Sequence, residues 1–353
     1  MGKNQHYVPR LLLRNFSNSD SKKTINLYYL KEKKTILGCS ISNQASKDYI
    51  YGKNQDKELY FGNIEKAVAP IFGKLINGIV DIDDNERLIV YLFINYQLCR
   101  TPIAAKNTQD LVNSSIDYLT DGDEFAYNKM KKDSLKITDY YDFMFGIAAE
   151  TVFSILDLKI TVVNNETQIP FILGQHPVVI FNPFLIDRKW VGGRRGTANK
   201  GAIIFMPLST QQAIILYDKD RYKLIKKNRV IALSIDDINK LNACQFATTE
   251  NCVYFGKEYG NIPFQKYHDL TNEYRNSPKS TFTTHKVMID KKISKSSEII
   301  VTSQSELPIT QEFSFIGIRL SAIYENLGNS MDISRESIKH LLPNDYPRKY
   351  KIR

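Results

Sequence analysis

The chain has 353 residues, of which 42% are hydrophobic and 24% charged. That mix suits a globular protein able to bury a sizeable core, excludes a low-complexity or disordered chain, and at this length suggests about two structural units. Lys and Arg outnumber Asp and Glu by 48 to 38, for a net charge of +10; such an excess favours polyanionic partners such as nucleic acid, nucleotides or acidic headgroups, the alternative being solvated lysine set by base composition.

The positive charge is uneven, with concentrations in residues 1–60, from Asp187 to Lys200 and from Arg221 to Arg229. Cys39, Cys99, Cys244 and Cys252 form no C-x-x-C pair. A disulfide framework is therefore not expected, and the reducing cytoplasm is the expected location. No apolar signal segment follows Met1, and the longest apolar run, Leu88 to Ile94, is far short of a span, so no membrane association is expected. Gly2 occupies a myristoylation position, but residue 6 is His rather than Ser or Thr.

In chain order, the first feature is the stretch from Met1 to Phe16. Gln5, His6, Tyr7, Arg10 and Arg14 crowd together ahead of the apolar Leu11-Leu12-Leu13, which suggests a docked segment with a polar edge. Alternation of Ile25, Leu27 and Tyr29, then of Leu37, Cys39 and Ile41, predicts a hairpin over 24–41. Residues 42–57 read as loop. From Glu58 the 3,4 spacing of Ile64, Val68, Ile71, Phe72 and Leu75 predicts a helix, kinked at Pro70. Asp83 with Glu86 forms a capping box for a second helix, apolar nearly all round and therefore central, which stops before Pro102. Helices are expected over 106–120 and 138–157, with Lys-rich 129–136 between them.

The period then changes to two. Strands are predicted at 158–163, 169–173, 178–181, 201–206, 212–217, 221–226, 251–255, 285–291 and 297–302, with a Ser234-capped helix at 235–246. Residues 313–326 and 334–342 read as helical or mixed, and 277–296 as a mobile insertion. Helices first and sheet afterwards is α+β segregation rather than βαβ alternation. The expected architecture is an N-terminal hairpin and helical bundle over 1–157, followed by a mostly antiparallel sheet region over 158–353. The two form one body or two closely packed lobes.

No Walker A loop, G-x-G-x-x-G, H-E-x-x-H or G-x-S-x-G is present, which disfavours common ATPases, Rossmann enzymes, zincins and α/β-hydrolases. Three clusters can carry chemistry. His6, among Gln5, Tyr7, Arg10 and Arg14, is a candidate base, metal ligand or anion donor, or else a histidine satisfied by nearby backbone. Gln97 and Arg100 end the central helix, where Arg100 clamps a phosphate or caps its own helix. His176, on the turn Gly174-Gln175-His176-Pro177, has its backbone held extended by the following proline. A fourth feature, Gly192-Gly193-Arg194-Arg195-Gly196, offers a flexible backbone and two cations to a phosphate.

On these residues the chain resembles the domain-of-unknown-function family numbered 4238, found in bacteria and fungi. The similarity lies in a Q-H-Y-[VI]-P opening, here Gln5 to Pro9, and L-[RK]-x-F, here Leu13 to Phe16. An E-x-x-A-like helix is matched at Glu65, and a Q-x-x-R-T-P helix end at Gln97 to Pro102. A sheet region of the form T-S-D-x-P-V, then F-x-P-L-S, corresponds to Leu173–Val178 and Phe205–Ser209. The family's Ser-Asp pair appears here as Gly174-Gln175, which puts a metal-dependent mechanism in doubt. The resemblance implies a shared fold and site, and an association with mobile elements and antiviral defence.

The combined expectation is a nuclease-like hydrolase of RNA or DNA phosphodiesters. His6 is the base or ligand, Glu65 its carboxylate partner, Gln97 the positioning group, Arg100 the phosphoryl stabiliser and His176 the acid or second ligand. Gln5, Tyr7, Arg10, Arg14, Arg194 and Arg195 would bind substrate. A divalent metal is a candidate cofactor, with His6 and Glu65 its candidate ligands. The alternatives are a non-catalytic nucleic-acid-binding or sensor protein, and a nucleotide- or NAD-cleaving effector that stacks a base on its aromatic side chains.

Overall fold

The computed structural model describes residues 3–53, 56–132, 137–190, 192–225, 230–258, 260–277, 280–290, 295–304, 307, 313–327 and 333–341. Its first half runs β1 (Asn4–His6), α1 (Arg10–Asn15), β2 (Thr24–Tyr29), β3 (Lys34–Ser40), β4 (Ser46–Asp48), α2 (Asp56–Ile76), α3 (Asp84–Cys99), α4 (Pro102–Thr120), α5 (Glu124–Lys132) and α6 (Ile137–Thr151). The second half runs β5 (Lys159–Asn164), β6 (Val179–Phe181), α7 (Pro183–Asp187), β7 (Ile203–Pro207), β8 (Gln212–Tyr217), β9 (Tyr222–Leu224), β10 (Val230–Ala232), α8 (Ile235–Ala247), β11 (Cys252–Phe255), α9 (Phe264–Asn276), β12 (Ser280–Asp290), β13 (Lys295–Gln304), β14 (Ile316–Ile318) and α10 (Leu320–Ile323). The class is α+β.

The expected loop at 42–57 contains β4, which pairs antiparallel with β1 and aligns Gln5 with Lys47. The opening residues are thus one strand of a two-stranded ribbon. The hairpin forms as predicted, but its register shifts between Ile25 and Leu27 and Gly38 takes a φ of 69°. Such an irregularity re-aims side chains, and Leu37, expected inward, is exposed. On its other side β2 pairs with β11. This three-stranded sheet crosses the boundary expected at 157/158, and one buried apolar cluster runs from Tyr7 to Ile333.

The helix ends are local chemistry. Asp83 Oδ1 accepts from the Glu86 amide at 2.8 Å, completing the predicted capping box. α3 then buries Val90, Phe93, Ile94 and Gln97. α4 starts four residues earlier than expected. Thr101 caps it and Pro102 occupies its first turn, where a missing N–H costs nothing. Part of the Lys-rich stretch is the helix α5, and residues 133–136 lie outside those described.

The main sheet has the order β10-β5-β8-β7-β6, antiparallel except for the β10–β5 pair. The strand expected at 169–173 forms only an isolated bridge from Leu173 to Tyr254. Pro170 cannot donate to a ladder there, and the Ile172 amide goes instead to Asn242 Oδ1 at 3.0 Å. The 277–296 stretch contributes β12 and the start of β13; residues 278–279 and 291–294 lie outside those described, as do Lys226, Lys227 and Arg229 of the basic cluster. Among the described residues no single helix is long and apolar enough to cross a membrane.

The later chain is fastened by ions. Arg221 pairs with Glu325 and Glu336, and Lys200 pairs with the same two carboxylates. Burial opposes the charge on Glu336, but Lys200 and Arg221 outweigh it and hold its carboxyl near 2, below its ordinary 4.5. The stabilisation is therefore present above pH 4.5 and lost as the pH falls toward 2.

Candidate functional site

The opening motif is built inward. Gln5 is fully buried; its Oε1 accepts from the Tyr51 amide at 2.8 Å and its Nε2 donates to the Gly52 carbonyl. His6 is buried on the same strand, and its Nε2 accepts from Arg10 Nε at 3.4 Å. Burial, then the Arg10 and Arg100 charges, push its pKa down to about 4, against backbone hydrogen bonds at Ile41 and Ser42. Tyr7 offers its carbonyl to Gln97 Nε2 at 2.9 Å and its hydroxyl to Gln175 Nε2 at 3.0 Å. Arg14 lies exposed in the last turn of α1.

Arg100 closes this cluster. It is 4% exposed, and all three of its nitrogens donate to protein groups. Nη1 reaches Glu65 Oε1 at 2.7 Å, Nη2 the His6 carbonyl, and Nε the Tyr51 hydroxyl at 3.3 Å. The guanidinium also lies 4.2 Å from the centre of the Phe61 ring. Burial works against its charge, but Tyr51 and Glu65 outweigh it and the pKa rises. The structure thus brings His6, Glu65, Gln97 and Arg100 together, with Arg100 committed to the fold rather than to a free phosphate. Neighbouring Glu58, not singled out from sequence, has a buried Oε2 without a hydrogen-bond partner among the described residues, and burial raises its pKa.

His176 lies on the other side of the α3–α4 junction. Its Nδ1 is 2.7 Å from the hydroxyl of Thr101, the residue after Arg100. It lines an open cleft of about 780 Å³ together with Arg195, Lys106, Asp110, Glu250, Tyr274 and Arg275. Burial, then the Arg195 charge, push its pKa down to about 4, so the ring is neutral near pH 7. Gly192, at a φ of 126°, permits the turn that leads into Arg194 and Arg195. Arg195 Nη1 reaches the Tyr274 hydroxyl at 3.4 Å, while among the described residues its buried Nε has no hydrogen-bond partner and no carboxylate pairs with it. Arg194 turns back on its own loop, donating to the Trp190 carbonyl. Arg275 is anchored on the Phe246 carbonyl at 3.1 Å, and Lys106 on Glu250 at 2.7 Å. Sequence reasoning missed Thr101, Lys106 and Arg275. The Thr-Pro step signalled the cap, whereas Arg275 lies on α9, whose buried Tyr267, Thr271 and Tyr274 are spaced helically among polar residues.

The family described as protein of unknown function (DUF4238) matches residues 4–258. The chain belongs to that family. No curated protein and no solved structure matches it. The DUF4238 match runs from β1 through β11 and takes in the His6–Arg100 cluster and most of the cleft. Tyr274, Arg275 and the carboxylates Glu325 and Glu336 lie beyond it.

Within this DUF4238 chain, the Gly174-Gln175 pair has a structural partner set. Gln175 Oε1 accepts from the Asn251 amide at 3.0 Å while its Nε2 holds Tyr7. A β-carbon on Gly174 would meet Thr249 Oγ1 at 2.6 Å and the Gln245 carbonyl at 2.7 Å. Gly174→Ser is therefore expected to destabilise the fold by about 1–3 kcal/mol through overpacking, read as a lower urea midpoint; an unchanged midpoint would contradict the packing. Among the described residues no three His, Cys, Asp or Glu side chains come together to hold a metal ion.

The imidazoles make stability acid-sensitive. The pKa values of His6 and His176 drop from 6.5 to about 4, and that of His268 is lowered in the same direction. Above pH 6.5 neither folded nor unfolded chain protonates them appreciably. Between 6.5 and 4 the unfolded chain takes up protons that the folded chain refuses, so stability falls across that window. Urea midpoints measured from pH 7 to 4 should decline, and less steeply in His6→Gln/His176→Gln. A flat profile would show that the rings are not held neutral.

Proposed function

We propose that this protein is a nuclease-like hydrolase whose nucleic-acid phosphodiester lies in the His176 cleft, acting in the cytoplasm, where its four free cysteines stay reduced. The observation that carries the reading is Arg195, a cation without a carboxylate partner among the described residues, beside a neutral histidine in an open cleft. Arg195, Arg275 and Lys106 attract and hold phosphate oxygens, and His176 acts on the phosphodiester through the ring nitrogen that Thr101 leaves free. The His6–Glu65–Gln97–Arg100 cluster holds the α3–α4 junction, and with it Thr101 and His176, in place.

Incubation with end-labelled RNA and DNA, with and without divalent metal, tests this reading. Cleavage should fall sharply in His176→Ala and Arg195→Ala, and activity indifferent to both would remove the cleft from the chemistry. Binding should weaken steeply with salt, and Arg195→Ala should reduce the log–log slope by about 1. The second reading, a non-catalytic binder or sensor, is favoured by Gln175, an amide where the resemblance implies an acid. It predicts the same salt slope with no turnover.

A further inference from the structure

We infer that Thr101 fixes the ring proton of His176 on Nε2, so that His176 meets the substrate as a hydrogen-bond donor to a phosphoryl oxygen and does not take the proton of the nucleophile. This rests on the cleft being a phosphodiester site. One buried hydroxyl decides the tautomer. Thr101 is 0% exposed, so bulk water does not reach it. As the cap of α4, its Oγ1 accepts from the Ala104 amide at 3.3 Å, which uses a lone pair and leaves the hydroxyl proton to be placed. Among the described residues the one other group within hydrogen-bond distance of Oγ1 is His176 Nδ1, at 2.7 Å. A buried O–H needs an acceptor, so the proton points at Nδ1 and Nδ1 accepts it. With a proton on Nδ1 instead, two N–H groups would converge on one oxygen whose own proton had no acceptor.

A neutral imidazole carries one ring proton, and the bond made by one nitrogen sets the state of the other. With Nδ1 an acceptor, Nε2 is the donor. Burial keeps the ring neutral near pH 7. Nε2 has no hydrogen-bond partner among the described residues, and His176 lines the open cleft, so this N–H is what the ring offers a ligand. The turn beneath it is held as well: Gln245 Nε2 donates to the Pro177 carbonyl at 2.8 Å and the Thr248 hydroxyl to the His176 carbonyl at 3.4 Å. A fixed N–H aimed at an oxygen on which charge builds stabilises that charge without adding another cation to a cleft already lined by Arg195, Lys106 and Arg275. Thr101 is the positioning residue. It follows Arg100 directly, so the bonds of Arg100 to Glu65 and the His6 carbonyl also hold this hydroxyl in place.

Long-range proton–nitrogen correlation spectra of the full chain, labelled with nitrogen-15 at histidine, read the tautomer at pH 7. His176 should show a protonated Nε2 and a bare Nδ1. Thr101→Val, recorded at a temperature where it stays folded, should let both tautomers appear, and Thr101→Ser, which keeps the hydroxyl, should retain the wild-type pattern. A wild-type ring protonated on Nδ1, or a pattern unchanged in Thr101→Val, would overturn the inference. Cleavage of end-labelled RNA and DNA reads the role of the donor. His176→Gln keeps an N–H but cannot take a proton, so it should lose far less activity than His176→Ala, which should fall about 10²–10³-fold, the worth of one such donor. Equal losses in the two variants would overturn the donor role while leaving the nuclease-like hydrolase standing. No cleavage of any strand by the wild-type protein, with or without metal, would overturn the hydrolase and leave the tautomer to be decided by the spectra.

Discussion

Arg100→Ala is expected to cost about 3–5 kcal/mol of folding stability, because it breaks a buried ion pair from one side and orphans its partners. The His6 carbonyl, the Tyr51 hydroxyl and the Glu65 carboxylate all lose a donor at once. Tyr51 accepts from Arg100 Nε and also donates to the Arg100 carbonyl at 3.0 Å, so α2, α3 and β1 are joined at this point. Arg100→Lys keeps the charge without the planar fork and should recover only part of the loss. Glu65→Gln should be milder, since that side chain is a quarter exposed and water reaches it. Urea unfolding of the three variants reads the order directly. If Arg100→Ala were as stable as Glu65→Gln, the guanidinium would not be joining these elements.

A comparable loss, about 3–5 kcal/mol by the same reasoning, is expected for Arg335→Ala. Arg335 is 1% exposed. Its Nε and Nη2 grip both oxygens of Asp157 at 2.8 and 2.7 Å, Nη1 donates to the Thr197 and Asn199 carbonyls, and Nη2 also to that of Ser154. The residue fastens the later chain to the end of α6 and to the loop that carries Arg195. If the cleft holds nucleic acid as proposed, its loss should therefore weaken that binding as well as stability, although Arg335 lies far outside the DUF4238 match and does not line the cleft. Binding of labelled RNA at a temperature where the variant stays folded separates the two effects. Full affinity in a destabilised Arg335→Ala would show that the Arg195 loop holds its own shape.

The parts of the fold that were legible in the sequence are those whose physics is local. Asp83 with Glu86 and Ser234 with Asp237 each settle a helix start within four residues, whereas α4, capped by Thr101 and opening on Pro102, begins four residues before its expected start. The continuous apolar runs that became β7 and β8 are buried on both faces and mark a central strand by themselves. α9 was hidden because its polar content masks a narrow apolar stripe, and β4 because three residues show no period until a partner strand is known.

The candidate site divides in the same way. His6, Arg100, His176 and Arg195 stood out as costly or reactive side chains in unusual surroundings, and the amino-acid sequence by itself determined that they need partners. Which partners was a tertiary matter. Arg100 meets the His6 carbonyl across 94 residues, and His176 meets Thr101 across 75. A guanidinium that closes the core and one left without a carboxylate among the described residues have the same covalent structure. Only the folded arrangement of acceptors around each decides that Arg100 is the first kind and Arg195 the second.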